Sequence, residues 1–102
     1  MDFETALANW LAMAQERIDR HFATHYPKVE TPTLTVEPRR KRLCIVKAET
    51  SSRSVFAFID LATGDILKPA SWKAPAKHAR GNLFDESGGL KNVDSYGPAY
   101  LR

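Results

Sequence analysis

The stretch LCIVKAETSSRSVFAFIDLATGDILK, residues 43–68, decides the fold because short apolar runs in it are separated by polar turn residues. Apolar and β-branched runs bounded by such turns are typical of antiparallel strands. Gly64 supplies the positive φ angle that favours a tight second turn. The pattern predicts a strand over Leu43–Glu49, a turn over Thr50–Arg53, a strand over Ser54–Asp60, a turn over Ala62–Asp65 and a strand from Ile66 to Lys68.

The middle strand of this predicted meander is apolar on both faces. Because successive side chains point to opposite faces, Val55, Ala57 and Ile59 are expected on one face. Phe56 and Phe58 are expected on the other. A strand that is apolar on both faces is typically covered on both sides. We therefore expect this strand to lie in the centre of the sheet.

A long amphipathic helix is predicted before the strands, from about residue 3 to residue 23. Asp2 is expected to cap its first turn, and the helix is expected to stop before Pro27. Its apolar face must pack on one face of the sheet, which predicts an α+β fold. Residues that recur at steps of three and four form this face: Phe3, Leu7, Trp10, Leu11, Ala14, Ile18 and Phe22.

The sheet is expected to be a small antiparallel meander of three to four strands. Thr33–Glu37 is predicted as the additional strand because its β-branched residues alternate and Pro38 ends the run. After Pro69 the alternation weakens. Residues 74–80 are predicted to form a short helix or loop, with Pro75 at the first helical position.

The length of 102 residues suits a single domain over residues 1–102. The tail over Val93–Arg102 is more apolar than a disordered end requires. Its Tyr96, Tyr100 and Leu101 are therefore expected to dock on the body of the domain.

Charge is distributed unevenly along the chain. Residues 1–37 carry three cations and six anions, whereas residues 38–80 carry ten cations and three anions. Such asymmetry is typical of a surface that faces phosphate or an acidic partner. It is also compatible with a solvated face that keeps a small protein soluble.

Composition and motifs argue against several classes of function. Cys44 is the only cysteine, which excludes an internal disulfide and fits a reducing compartment. A membrane span and a basic signal-peptide start are absent, so we expect a cytoplasmic protein without a membrane partner. Known enzyme motifs are absent, and His21 and His25 have no nearby third metal ligand. We therefore expect no enzyme activity, cofactor or metal.

Two basic segments form the candidate binding site. The turn over Arg39–Arg42 is the first. The second runs from Lys68 to Arg80, and its Trp72 offers a ring on which a base can stack. The alternative is that Phe56, Phe58 and Trp72 form a second small core. We expect the second segment to fold back along the sheet and place Trp72 against one of these phenylalanines. The candidate residues are Arg39, Arg40, Lys41, Arg42, Trp72, Lys73, Lys77, His78 and Arg80, with Lys73, Lys77 and Arg80 pointing outward.

The C-terminal half resembles a family of small proteins of unknown function encoded by tailed bacteriophages and prophages. The resemblance rests on the segment GDI-x-K-x-ASWKAPAKHARGN at residues 64–82 and on YG-x-AYLR at residues 96–102. It implies a phage context, with the host-cell cytoplasm as the location. It implies no catalytic residue.

The leading functional hypothesis is a non-catalytic module that contacts nucleic-acid phosphates through this basic surface. The alternative is a phage protein that binds and modulates an acidic host protein through the same surface, with Trp72 as the anchor. The oligomeric state is expected to be a monomer or a homodimer, because a short meander leaves an edge strand that two copies can pair.

Overall fold

One long helix, a five-stranded antiparallel sheet and a two-stranded sheet make up the secondary structure of residues 2–94, 97 and 98, which the computed structural model describes. The large sheet follows chain order, β1-β2-β3-β4-β5. The α+β class is confirmed, whereas the predicted three to four strands were too few. The elements are α1 (Phe3–His25), β1 (Thr33–Pro38), β2 (Arg42–Ala48), β3 (Arg53–Asp60), β4 (Asp65–Pro69), β5 (Pro75–Asn82), β6 (Val93–Asp94) and β7 (Gly97–Pro98).

Helix α1 begins where its sequence predicts and runs two residues further than expected. The Asp2 carboxylate accepts a hydrogen bond of 2.8 Å from Thr5 N, and this bond lowers the pKa of Asp2. Tyr26 follows the last helical residue and stands directly before Pro27. In the described part of the chain, no helix has both the length and the apolar character that a membrane span requires.

The predicted apolar stripe of α1 packs on one face of the sheet. Trp10, Ala14 and Ile18 are fully buried in a core that also contains Ile45 and Ile59. The predicted stripe residues at the two ends of the helix, Phe3 and Phe22 among them, pack against the margin of this core. Strand β3 lies in the middle of the sheet, as its two apolar faces predict.

Strand β5 replaces the short helix expected over residues 74–80, so that prediction was wrong. Its backbone pairs antiparallel with β4 at Leu67↔Ala79 and Ile66↔Gly81. An isolated helix of two turns is marginal in water, whereas pairing with β4 satisfies the same backbone groups. Pro75 is tolerated because it is the first residue of an edge strand.

A β-bulge in β3 overturns the expected distribution of its side chains. Ile45 pairs with Ala57, but Val46 pairs with Val55, which leaves Phe56 as the extra residue. Phe56 therefore joins Ala57 in the core under α1, while Val55 packs on the opposite face beside Phe58. Phe56 and Phe58 do not share a face, because the bulge breaks the period of two.

The loop after β5 is held against α1 by backbone acceptors. The indole Nε1 of Trp10 donates to Gly89 O at 3.2 Å. The Arg17 guanidinium donates to Leu90 O at 2.8 Å and also to Val93 O. The predicted docking of Tyr96, Tyr100 and Leu101 lies outside the described residues, but Val93 is buried beside the helix.

Asp85 organises this loop from within. Its carboxylate accepts hydrogen bonds from Gly89 N at 2.8 Å, Ser87 Oγ at 2.7 Å, Ser87 N at 2.9 Å and Asn82 N at 3.2 Å. Desolvation raises the pKa of Asp85, but these four hydrogen bonds together outweigh it and bring the pKa below its ordinary value. The ionised carboxylate thus stabilises the loop conformation.

Asp85→Asn should lower the free energy of unfolding by about 1 kcal/mol at neutral pH, since an amide oxygen accepts weaker bonds than a carboxylate. Because folding lowers the pKa of Asp85, its contribution exists above the ordinary carboxyl pKa and is lost as the pH falls through the folded-state pKa. Urea unfolding of both proteins should therefore show a difference at neutral pH that vanishes in acid.

Glu86→Gln is the matched control because it removes the same charge from the neighbouring exposed residue. It should leave the unfolding free energy unchanged within about 0.5 kcal/mol. An equal loss in both variants would show that net charge, rather than the Asp85 hydrogen bonds, sets the effect.

Candidate nucleic-acid interface

The sheet face opposite α1 carries a second, smaller apolar cluster. Side chains alternate along β2, so Cys44 points away from Leu43 and Ile45, which face the helix. Cys44 is buried, and this burial raises the pKa of its thiol, which disfavours the reactive thiolate. The cluster consists of Cys44, Val46, Phe58, Val55 and Leu67.

The predicted basic turn lies at one margin of this cluster. Arg39 N donates to Arg42 O at 2.9 Å, which closes the hairpin between β1 and β2. Arg40 and Lys41 form the exposed tip, and Lys41 O accepts a hydrogen bond of 3.1 Å from Leu61 N. The turn is thus fixed to the chain segment that follows β3.

The loop over residues 70–74, between β4 and β5, folds back toward this turn. Ser71 stabilises its bend, since Ser71 Oγ accepts from both Lys73 N and Ala74 N at 3.2 Å. Arg39 Nη1 then donates to Trp72 O at 2.6 Å. This hydrogen bond brings the two basic segments together across the sheet face, although chain order alone separates them by a strand length.

Two arginines and one glutamate connect the loop to strands β1 and β3. The Arg39 guanidinium lies 5.8 Å from the centroid of the Phe58 ring, and Arg53 lies 5.9 Å from that of the Trp72 ring. Glu37 pairs with both, at 4.0 Å from Arg39 and in direct hydrogen-bond contact with Arg53. Arg39 and Arg53 therefore hold both the backbone and the ring of Trp72.

A concave basic pocket of about 220 Å³ lies between the turn and the loop. Five cationic side chains and one aromatic ring line it, and carboxylates are absent from its described lining. A concave site with several cations attracts phosphate oxygens, and arginine binds them with a bidentate fork. The lining residues are Arg39, Arg40, Lys41, Arg42, Phe58 and Lys73.

Trp72 does not have the aromatic partner that the sequence predicts. Its side chain is 43% exposed and lies against Arg53, whereas Phe56 packs edge-on against Trp10 at 6.1 Å on the other side of the sheet. The expected contact with Phe56 or Phe58 was therefore wrong. The exposed indole remains accessible to a ligand.

Three of the predicted site residues lie on β5, outside the pocket. Lys77 and His78 are exposed on this edge strand. Arg80 is buried, with only 8% of its surface exposed, and its guanidinium donates to His78 O. The prediction that Arg80 points outward was wrong because a register shift between Gly81 and Ala79 makes Arg80 the extra residue of a bulge.

Sequence reasoning missed Glu37 and Arg53 as parts of the site. The sequence does not distinguish Glu37 as a site residue, because Glu37 simply continues the polar face of Thr33 and Thr35 along β1. Arg53 was assigned to a turn, but it begins β3. Their contact spans two strands across β2, so it depends on the register of three strands.

The family model described as "Family of unknown function (DUF7717)" matches residues 2–101. The chain belongs to DUF7717. No curated protein and no solved structure matches it. The DUF7717 region includes α1, the whole large sheet and the basic pocket, and the family description assigns no activity to any of them.

Metal chemistry finds no support among the described residues of this DUF7717 chain. Groups of three or more His, Cys, Asp or Glu side chains that could hold an ion are absent from that part. The His21 and His25 rings lie 4.6 Å apart at the end of α1, as their spacing of four residues dictates.

Trp72→Ala and Phe56→Ala should differ sharply in their effects on stability. Trp72 is half exposed and contacts an arginine, so its loss should cost less than about 1 kcal/mol. Phe56 is 2% exposed, so its loss should cost about 3–5 kcal/mol through the cavity it leaves. Chemical denaturation of the two variants measures this difference, and comparable losses would place the Trp72 ring in the core.

Proposed function

We propose that this DUF7717 protein is a small, non-catalytic module that binds nucleic-acid phosphates in the basic pocket and stacks a base on Trp72. The observation that carries the proposal is the hydrogen bond from Arg39 to Trp72 O, which joins the basic turn and the loop at one surface. The pocket takes a backbone phosphate, and the exposed Trp72 directly precedes Lys73, which lines the pocket.

The cations of the pocket have different tasks in this proposal. Arg39 is engaged with Trp72 O and Glu37, so it shapes the site. Arg40 and Lys41 at the tip of the turn and Lys73 on the loop are exposed and neutralise phosphates directly. Binding of this kind releases counterions and is therefore sensitive to salt.

Trp72 provides the sequence-tolerant part of the binding. Stacking on an aromatic ring contributes about 1–3 kcal/mol per base and requires an unpaired base. The site therefore fits a single strand better than a duplex. Lys77 and His78 are exposed on the adjacent edge strand, where a longer strand can reach them.

The biological setting that we propose is that of a phage accessory protein acting in the host cytoplasm. The motifs in residues 64–82 and 96–102 support this setting because they resemble small proteins of tailed phages and prophages. The pocket itself would serve any single-stranded nucleic acid, whether DNA or RNA, since phosphate and base are common to both.

Arg40→Ala combined with Lys41→Ala should weaken binding to a fluorescent single-stranded oligonucleotide at least about tenfold at low salt. If the three exposed cations Arg40, Lys41 and Lys73 contact phosphates, log K should fall with log salt with a slope of about −2.1, and the double variant should reduce that slope by about 1.4. Fluorescence anisotropy across a salt series measures both quantities.

Lys28→Ala combined with Lys91→Ala is the charge-matched control, because both lysines are exposed and lie outside the pocket. This control should keep the parental slope. The proposal fails if the parent does not bind at low salt, or if the two double variants lose affinity equally.

A second candidate function is binding to an acidic protein, and the exposed Trp72 beside Arg53 favours it. Trp and Arg are the residues most enriched at the energetic centres of protein interfaces. A pull-down from nuclease-treated host lysate distinguishes the two functions. A stoichiometric protein that Trp72→Ala no longer retains would support the second, and recovery of nucleic acid alone from untreated lysate would support the first.

We propose that the protein binds as a monomer, because both edges of the sheet are protected. The β5 edge carries Pro75, Lys77 and a bulge, which oppose pairing with another strand. On β1, Leu34 N donates to Gln15 Oε1 at 2.8 Å and so is not available to a second copy. Sedimentation velocity should give a monomer, and a concentration-dependent dimer would contradict this.

A further inference from the structure

A second concave surface lies on the opposite side of the sheet from the basic pocket. It is a groove of about 600 Å³ between α1 and the loop that follows β5. Ala6, Trp10 and Leu83, which line it, belong to the core under the helix, whereas Phe58 in the basic pocket belongs to the other face. The two surfaces are therefore separated by the sheet.

The groove is apolar and accessible. Met13 on α1 is 48% exposed and Phe84 on the loop is 49% exposed, and both line it. Between them, Ala6, Ala12 and Gly88 leave room for a large side chain to enter. Exposed apolar surface of this shape is typical of a site that receives an apolar side chain of a partner.

The charges at the groove select the kind of partner. Asp85 and Glu86 line it, and Lys, Arg and His are absent from its described lining, although the chain as a whole has a net charge of +3. Arg17 of α1 is bound to the carbonyls of Leu90, which lines the groove, and of Val93. The groove therefore repels phosphates and attracts cations that flank an apolar residue.

The groove is also preformed. Asp85 accepts four hydrogen bonds from its own loop, and Trp10 Nε1 donates to Gly89 O at the base of the groove. Gly89 has a φ angle of +87°, and a Cβ there would collide with Ile66 and press on Trp10. A rigid groove costs little conformational entropy when it is filled.

We propose that this groove is a docking site for a basic amphipathic segment of another protein, which inserts apolar side chains between Met13 and Phe84 and places Lys or Arg against Asp85 and Glu86. This is the helix-in-groove mode of recognition. The proposal is independent of the nucleic-acid site, because it uses other residues on the other face of the sheet.

The probe is a short amphipathic peptide with leucine on one helical face and lysine elsewhere, titrated into ¹⁵N-labelled full chain. The lysine peptide should bind at micromolar concentration and shift the amide signals of Met13 and residues 84–88, but not those of residues 39–42. A peptide with glutamate in place of every lysine should bind at least about tenfold more weakly, because the acidic rim repels it.

Two variants with the same charge change test the role of the rim. Glu86→Lys should weaken binding of the lysine peptide about tenfold, whereas Glu49→Lys, on the exposed turn between β2 and β3, should leave it unchanged. Met13→Gln should weaken binding without unfolding the protein, since Met13 is half exposed.

Several outcomes would overturn the proposal. Absence of binding up to millimolar lysine peptide, shifts that fall on the basic turn, or equal binding of both peptides would each reject a groove selective for basic segments. Equal losses of peptide affinity in Glu86→Lys and Glu49→Lys would show that the effect comes from the net charge of the protein and not from the groove. Self-association that Met13→Gln abolishes would identify a second copy as the occupant instead.

Discussion

The contact that the rest of the structure depends on is the packing of Trp10 between the sheet and the loop after β5. Its ring meets Phe56 edge-on at 6.1 Å, and its Nε1 donates to Gly89 O. One fully buried side chain thus fixes the helix to β3 and the loop to the helix. It also explains Gly89, because a side chain at that position would enter the space that Trp10 and Ile66 occupy.

Bulges in β3 and β5 decide what lies on each face of the sheet, and they mark the limit of prediction from sequence. The strands from β1 to β4 and the helix follow from periods of two and 3.6 residues, which are local. The bulges that turn Phe56 toward the helix and shift Arg80 depend on pairing between strands. A strict period of two therefore misassigns Phe56, and the helix predicted over residues 74–80 misassigns Arg80. Strand β5 was missed because it lacks apolar alternation and is defined by its pairing with β4.

Some residues of the candidate site can be predicted from the local sequence, whereas others depend on how distant strands pair. The four consecutive cations of the turn over Arg39–Arg42 and the tryptophan at position 72 are conspicuous in the sequence. Both contribute to one surface. Glu37 and Arg53 do not stand out, because their contact crosses β2 and depends on the register of three strands. Surface ion pairs of this kind contribute little stability individually, so their effect is mainly geometric: they hold the loop that carries Trp72.

The two concave surfaces lie on opposite faces of the sheet. Phe58 of β3 lines the basic pocket, whereas Trp10 of α1 and Leu83 of the loop after β5 line the groove. A basic peptide and a nucleic acid attract each other strongly, so a protein that binds both must keep their sites apart. The sheet does this, since it lies between the two surfaces, and exposed charges more than about one Debye length apart, about 8 Å in physiological salt, are largely screened from each other. Each proposed ligand is therefore attracted mainly by the charges of its own face. The net charge of +3 describes neither surface, because it averages a basic pocket with an acidic groove.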